Sequence, residues 1–163
     1  MSELGTFDAR QLFAALAQHA VEYVTIGGIA IQAYGGQRLT QDLDIAVPVS
    51  TENSARLAGA LGDLDARILG PDGQRSAAAP SAALLGSSEQ WHLITPHGRL
   101  DVLTLPAYLG SFADVRARAL EVPIGELSIP IAHREDLLTM KRAAGRPQDL
   151  ADVRLLEALD EAP

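Results

Sequence analysis

The chain reads as an α+β protein: apolar residues recur at helical spacing near both ends, while the middle carries short β-branched and aromatic runs that stop at Gly or Pro. Its 163 residues, 47% of them hydrophobic, suffice for one well-buried core and fall short of two ordinary domains. One domain over residues 1–163 is expected, with a helical part over about 133–160. High Ala and Leu content with only 4% aromatic residues points to helix-rich packing and few base-stacking platforms.

The elements follow in order. Residues 7–19 put Phe7, Leu12, Phe13, Leu16 and Ala17 on one helical stripe, with Thr6 as the expected N-cap and Asp8 in the first turn. Residues 23–26 form a short strand that ends at Gly27-Gly28, and a second helix over 29–34 closes at Gly35-Gly36. Residues 38–47 alternate polar and apolar up to Pro48, which predicts a half-buried strand. Ser50 or Thr51 then caps a helix to Leu61, and 66–69 is a further strand. Residues 70–88, rich in Gly, Pro, Ser and Ala, read as a mobile loop. Residues 91–95 and 100–104 predict a hairpin with a four-residue connection over 96–99. A helical stretch over 106–119 leads to two short strands, 120–123 and 127–131, around Gly125. Helices over 134–144 and 147–159 close the chain, separated by Gly145, with Pro147 in a first-turn position that tolerates it.

Composition excludes several chemistries. With no cysteine there are no disulfides or thiol nucleophiles, and any metal is held by oxygen or imidazole. The net charge of −8 argues against unaided wrapping of a long nucleic acid, while leaving a small acceptor, a tRNA end or a protein open. The first six residues, Met1 to Thr6, lack the basic stretch and apolar run of a signal peptide, and no apolar segment approaches the length of a bilayer span. A cytoplasmic protein without a membrane partner is the expectation.

In an extended strand Arg38, Thr40, Asp42 and Asp44 share one face, opposite Leu39, Leu43 and Ile45. Two aspartates about 7 Å apart on one face repel unless a cation lies between them. Magnesium suits that place, since it takes carboxylate oxygens at about 2.0–2.1 Å and keeps other positions for water and phosphates. A merely solvated strand face would carry the same residue types. Three features raise the pattern above that: the upstream glycine pair, Arg38 in phase with the acids, and Asp101 inside the apolar run Leu100-Asp101-Val102-Leu103, where a charge is costly unless paired or metal-bound. If the two strands are neighbours, the three carboxylates converge. Gly27 and Gly28 at a strand-to-helix corner either offer backbone N–H groups to phosphate or form an ordinary tight turn. Lys141, on the inward stripe of its helix with Leu137 and Leu138, either snorkels or reaches an anion. Asp149 and Asp152 equally well complement a helix dipole. His19, His97 and His133 read as surface or helix-end residues, and His92 as packed or solvated.

The run over residues 26–45, I-G-G-I-A-I-Q-A-Y-G-G-Q-R-L-T-Q-D-L-D-I, resembles the core motif of nucleotidyltransferases with the DNA polymerase beta-like fold. Its form, G-G-x-A followed by R-x-T-x-D-x-D, resembles above all the AbiEii-like toxin and minimal nucleotidyltransferases, and is also similar to the lincosamide and aminoglycoside nucleotidyltransferases. Minimal members have Gly-Ser where this chain has Gly27-Gly28. The resemblance implies a mixed central β-sheet flanked by helices, with a C-terminal helical pair. It implies that Asp42, Asp44 and Asp101 are catalytic and hold two Mg2+ ions. It also implies that Gly27, Gly28, Arg38, Thr40, Lys141 and Asp149 bind the nucleotide.

The activity so implied is Mg-dependent transfer of NMP from an NTP, ATP among them, to an acceptor hydroxyl. A toxin-like enzyme acting on tRNA or another RNA is the leading expectation, with Arg134, Lys141, Arg142 and Arg146 as its landing surface and a toxin-antitoxin partner protein beside it. A small hydroxylated acceptor, including an antibiotic, suits the acidic surface if the molecule is cationic. The third expectation is a non-catalytic antitoxin-like or regulatory member of the fold.

Overall fold

The computed structural model describes residues 6–160, so the reading of the amino terminus as free of a signal peptide falls, apart from Thr6, outside the described residues. Helix α1 (Ala9–Gln18) buries Leu12, Phe13 and Leu16. Its N-cap is Asp8, whose carboxylate accepts from the N–H groups of Arg10 and Gln11, and Thr6 lies outside the turn. Carboxylate and hydroxyl cap equally well, so local propensity did not distinguish them. Strand β1 (Val24–Ile26) runs into α2 (Gly27–Ala33), then β2 (Asp42–Val47), α3 (Thr51–Asp63) and β3 (Arg67–Ile68). A one-turn helix α4 (Ala82–Leu85) precedes β4 (Gln90–Thr95) and β5 (Gly98–Thr104). After a 3-10 turn (Ala107–Leu109) come α5 (Phe112–Arg118), the hairpin β6 (Leu120–Ile124) and β7 (Leu127–Ile131), and finally α6 (Arg134–Ala144) and α7 (Pro147–Asp160).

The strands form one mixed sheet in the order β3-β4-β5-β2-β1-β7-β6. Strand β2 lies antiparallel to β1 and parallel to β5, and β1 lies parallel to β7. Helix α1 packs on α3, β2 and β7. Phe13 stacks on Tyr23 at 6.2 Å between ring centroids. Helix α2 lies over β1 and β2, with α7 behind it, where Leu155 packs near Gly36 and Leu159 near Gly35. No helix among the described residues is long and apolar enough to cross a membrane.

Four further expectations change. The strand expected over 38–47 begins only at Asp42, because β1 pairs with residues 44–46 and β5 starts opposite Asp42, leaving 38–41 without a ladder partner. The connection between β4 and β5 is the two residues Pro96 and His97, since Gly98 at φ +116° turns the chain back early and its carbonyl accepts from the Thr95 hydroxyl at 2.8 Å. Residues 70–88 are not loop throughout, for α4 forms within them, capped by Ser81, and buries Leu85. The helical stretch over 106–119 is interrupted at Gly110, whose φ of +86° ends the 3-10 turn before Ser111 caps α5.

Candidate active site

Parallel pairing of β2 with β5 sets Asp44 directly beside Asp101 and Asp42 beside Arg99. Alternation along each strand then places Asp42, Asp44, Arg99 and Asp101 on one face, with Leu43, Ile45, Leu100 and Val102 buried on the other. The three carboxylates expected to converge are therefore on one face of two neighbouring strands. Burial, then the charges of Asp101 and Asp42, push the Asp44 carboxyl up to about 7, and a hydrogen bond with Asp101 adds to this while Lys141 opposes it. Among the described residues, no group of three His, Asp or Glu side chains is arranged as a ready-made metal site.

The glycine corner has a reason in packing. At Gly27, φ is +71° and a Cβ would meet Asp44 Oδ2 at 2.3 Å. At Gly28, a Cβ would meet Thr40 Cβ and Oγ1 at 2.9 Å. The residue pair lets α2 start against the carboxylate of Asp44 and the side chain of Thr40, which itself donates to the Asp42 carbonyl at 3.1 Å.

Arg38 is not aligned with the acids as a strand would align it. Its guanidinium donates to Asp152 Oδ2 at 2.9 Å, and its carbonyl accepts from Gln32 Nε2, which holds residues 38–41 away from the sheet. Lys141 bridges two buried acids, Asp149 Oδ1 at 3.2 Å and Asp152 Oδ2 at 3.0 Å, while remaining close enough to Asp44 to lower its pKa. Asp149 is buried, and its other oxygen accepts from the Arg146 backbone N–H at 3.2 Å and Nε at 2.6 Å. It holds Lys141 in place from the first turn of α7.

Two residues of this face were missed by sequence reasoning. Arg99, expected in a turn, lies in β5 as the exposed register partner of Asp42 and makes no ion pair with any described residue. His92, expected to be packed or solvated, is the cross-strand partner of Asp101 and bonds Asp101 Oδ1 through Nδ1 at 2.8 Å. Only strand register reveals either, and the one available signal was that both lie at even spacing from other polar residues of their strands. A cavity of about 740 Å3, lined among others by Val47, Leu57, Leu85, Trp91 and Val102, opens on the opposite face of the sheet from the carboxylates.

The basic residues expected to form a landing surface for RNA are matched by acids. Arg134 pairs with Glu135, Lys141 with Asp149 and Asp152, Arg142 with Glu157 and Arg146 with Asp149. A patch so neutralised has little charge left to displace counterions.

No family model matches the chain and no curated protein matches it. Among solved structures, it is similar to the lincosamide antibiotic adenylyltransferase LnuA with lincomycin bound, with a TM-score of 0.62 at 15% identity, covering 95% of this chain and 99% of that one. It is similar to the antibiotic-resistance factor ANT(2'')-Ia in solution, with a TM-score of 0.61 at 15% identity over 91% of this chain and 80% of that one. It is also similar to ANT(2'')-Ia in complex with adenylyl-2''-tobramycin, with a TM-score of 0.58 at 16% identity, covering 93% and 90%. At such identities the likeness establishes the fold, which is that of the nucleotidyltransferases.

Proposed function

We propose that this chain, built on the nucleotidyltransferase fold, moves a nucleoside monophosphate from an NTP to a hydroxyl of a small molecule. The observation that carries the reading is the register of β2 on β5, which sets Asp44 beside Asp101 on the face that also bears Asp42. A sheet that buried such a cluster for stability alone would be working against itself, since each carboxylate raises the cost of ionising its neighbour. The donor set fits magnesium: hard oxygen ligands with an excess of negative charge that a dication relieves. Asp42, Asp44 and Asp101 would hold the ions, which when bound neutralise triphosphate charge and make the acceptor hydroxyl more acidic.

The chain's own residues account for the rest. Gly27 and Gly28 bring the start of α2 against the Asp44 carboxylate and Thr40, so that the backbone N–H groups of that corner meet phosphate oxygens beside the acids. Arg99 supplies positive charge to the triphosphate, Lys141 offsets the negative charge at Asp44 from its place between Asp149 and Asp152, and Arg38 and Asp149 act one step removed, by anchoring residues 38–41 and Lys141. The acceptor oxygen forms a bond to the α-phosphorus, the bond from that phosphorus to the β-phosphate oxygen breaks, and pyrophosphate leaves. The hydroxyl proton passes to Asp101.

Two observations favour a small acceptor over RNA: the neutralised basic residues of α6 and α7, and the net charge of −8, which attracts a cationic molecule and repels a phosphate backbone. The structural neighbours that act on antibiotics point the same way. The test is incubation with Mg2+, each of the four NTPs, and panels of aminoglycosides, lincosamides and total RNA, read by pyrophosphate release and by mass spectrometry of the acceptor. We expect adducts on a small hydroxylated amine. Asp44→Asn should lower the rate by roughly a hundredfold or more while keeping the wild-type circular dichroism. A wild-type protein that neither releases pyrophosphate nor binds NTP with Mg2+ in calorimetry would leave a non-catalytic member of the fold.

A further inference from the structure

We propose that His92 is a positioning residue, whose Nδ1–H holds the carboxylate of Asp101 at the rotation that presents its second oxygen to Asp44 and to the cation they would share. This inference rests on the nucleotidyl-transfer reading above. Antiparallel pairing of β4 with β5 puts His92 opposite Asp101, and both project from the carboxylate face. Cross-strand neighbours have Cβ atoms about 5 Å apart, a gap that a nitrogen at the δ position of His92 spans. The Nδ1–Oδ1 distance is 2.8 Å. An ionised carboxylate only accepts, so the bond requires a proton on Nδ1. On its other side Asp101 faces Asp44, with which it shares a hydrogen bond, so His92 is the donor that holds Asp101 from the side away from Asp44.

A bare surface ion pair does not explain this arrangement. The His92 side chain is 54% exposed and the Asp101 side chain 22%, a setting in which such a contact adds little to stability. Its effect falls instead on which way the Asp101 carboxylate turns. Hydrogen bonds behind metal-ligating groups commonly set metal affinity in this way.

Mn2+ binding in the presence of each of the four NTPs, followed by electron paramagnetic resonance, tests the assignment in three proteins. His92→Phe should weaken Mn2+ binding about ten- to hundredfold with an unchanged urea midpoint, and His92→Asn, whose amide N–H can take the place of Nδ1–H, should stay within about threefold of wild type. Wild-type affinity in His92→Phe overturns the inference, and so does an Asn variant as weak as the Phe variant. A wild type that binds Mn2+ with none of the four NTPs overturns the nucleotidyl-transfer reading itself, and this inference with it. A second readout needs no variant: the 15N shifts of the metal-free protein should show a proton on His92 Nδ1, and a ring protonated on Nε2 alone would refute the assignment.

Discussion

Thr25 stands in the middle of β1, buried to 0% exposure between Val24 and Ile26, and its hydroxyl finds no hydrogen-bond partner among the described residues. It pairs in register with Ile45 on one side and Ile131 on the other, so the hydroxyl lies in an apolar layer. Leaving such a group unsatisfied costs free energy that an isosteric methyl group does not. Thr25→Val should therefore stabilise the fold by about 1 kcal/mol, read as a higher urea midpoint at unchanged slope. A lower midpoint would show that the hydroxyl has a use in the fold. Gly27 is the opposite case, a residue whose missing side chain is the feature: its backbone conformation and the 2.3 Å approach of Asp44 Oδ2 both exclude a Cβ.

Between elements, the joint of α6 and α7 is electrostatic. Lys141 near the end of α6 and Arg146 before α7 both bond Asp149, while Lys141 and Arg38 both bond Asp152. The network ties the helical pair to residues 38–41 and so to the start of β2. The bond from Arg146, more than the pull of Lys141, holds the Asp149 carboxyl down to about 2, against burial, which raises it. Because the folded pKa lies below the unfolded value near 4, the native state binds fewer protons than the unfolded chain in this window. The stabilisation from Asp149 is thus complete above about pH 4 and is lost as pH falls towards 2. Asp149→Asn should be less stable than wild type at pH 6, by about 3 kcal/mol for a broken buried pair, with the gap narrowing as pH falls from about 4 towards 2 in urea unfolding. A gap that stays constant across that range would place the effect in packing and not in charge.

For the molecule as a whole, the carboxylate face is a cost to folding. The Asp44 carboxyl, raised to about 7, holds a proton in the folded state that the unfolded chain releases near 4. Stability of the metal-free protein should accordingly fall as pH rises from about 4 to 7, by at most about 1.4 kcal/mol per pH unit. Asp44→Asn should remove that slope and be more stable than wild type at pH 8. Adding Mg2+ with ATP at pH 8 should raise the melting temperature of wild type more than that of Asp44→Asn, because a ligand of the native state alone stabilises it by mass action. If the variant has the same pH slope as wild type, the opposing charge lies elsewhere.

Much of this was legible along the chain. Helical and alternating periodicity placed every strand and all the long helices, and the glycine corner, the Asp42–Asp44 spacing and the acid inside an apolar run pointed to the candidate site, because such patterns are local and repeat over a few residues. Local pattern misjudged residues 38–41, where alternation continues but no neighbouring strand supplies a ladder, so Arg38 went to Asp152 in place of the acids' face. It also left Asp149 and Lys141 ambiguous, since helix-dipole, snorkelling and ligand roles share one sequence signature. The amino-acid order by itself determined which chemistry was available: oxygen ligands, no thiols, and glycine where the chain must pass close to a carboxylate. Tertiary structure decided which groups meet, setting Asp101 beside Asp44, His92 behind Asp101 and Arg99 beside Asp42. The reason is that strand register joins residues distant in the chain through hydrogen bonds between backbones, which carry no mark of the side chains they bring together.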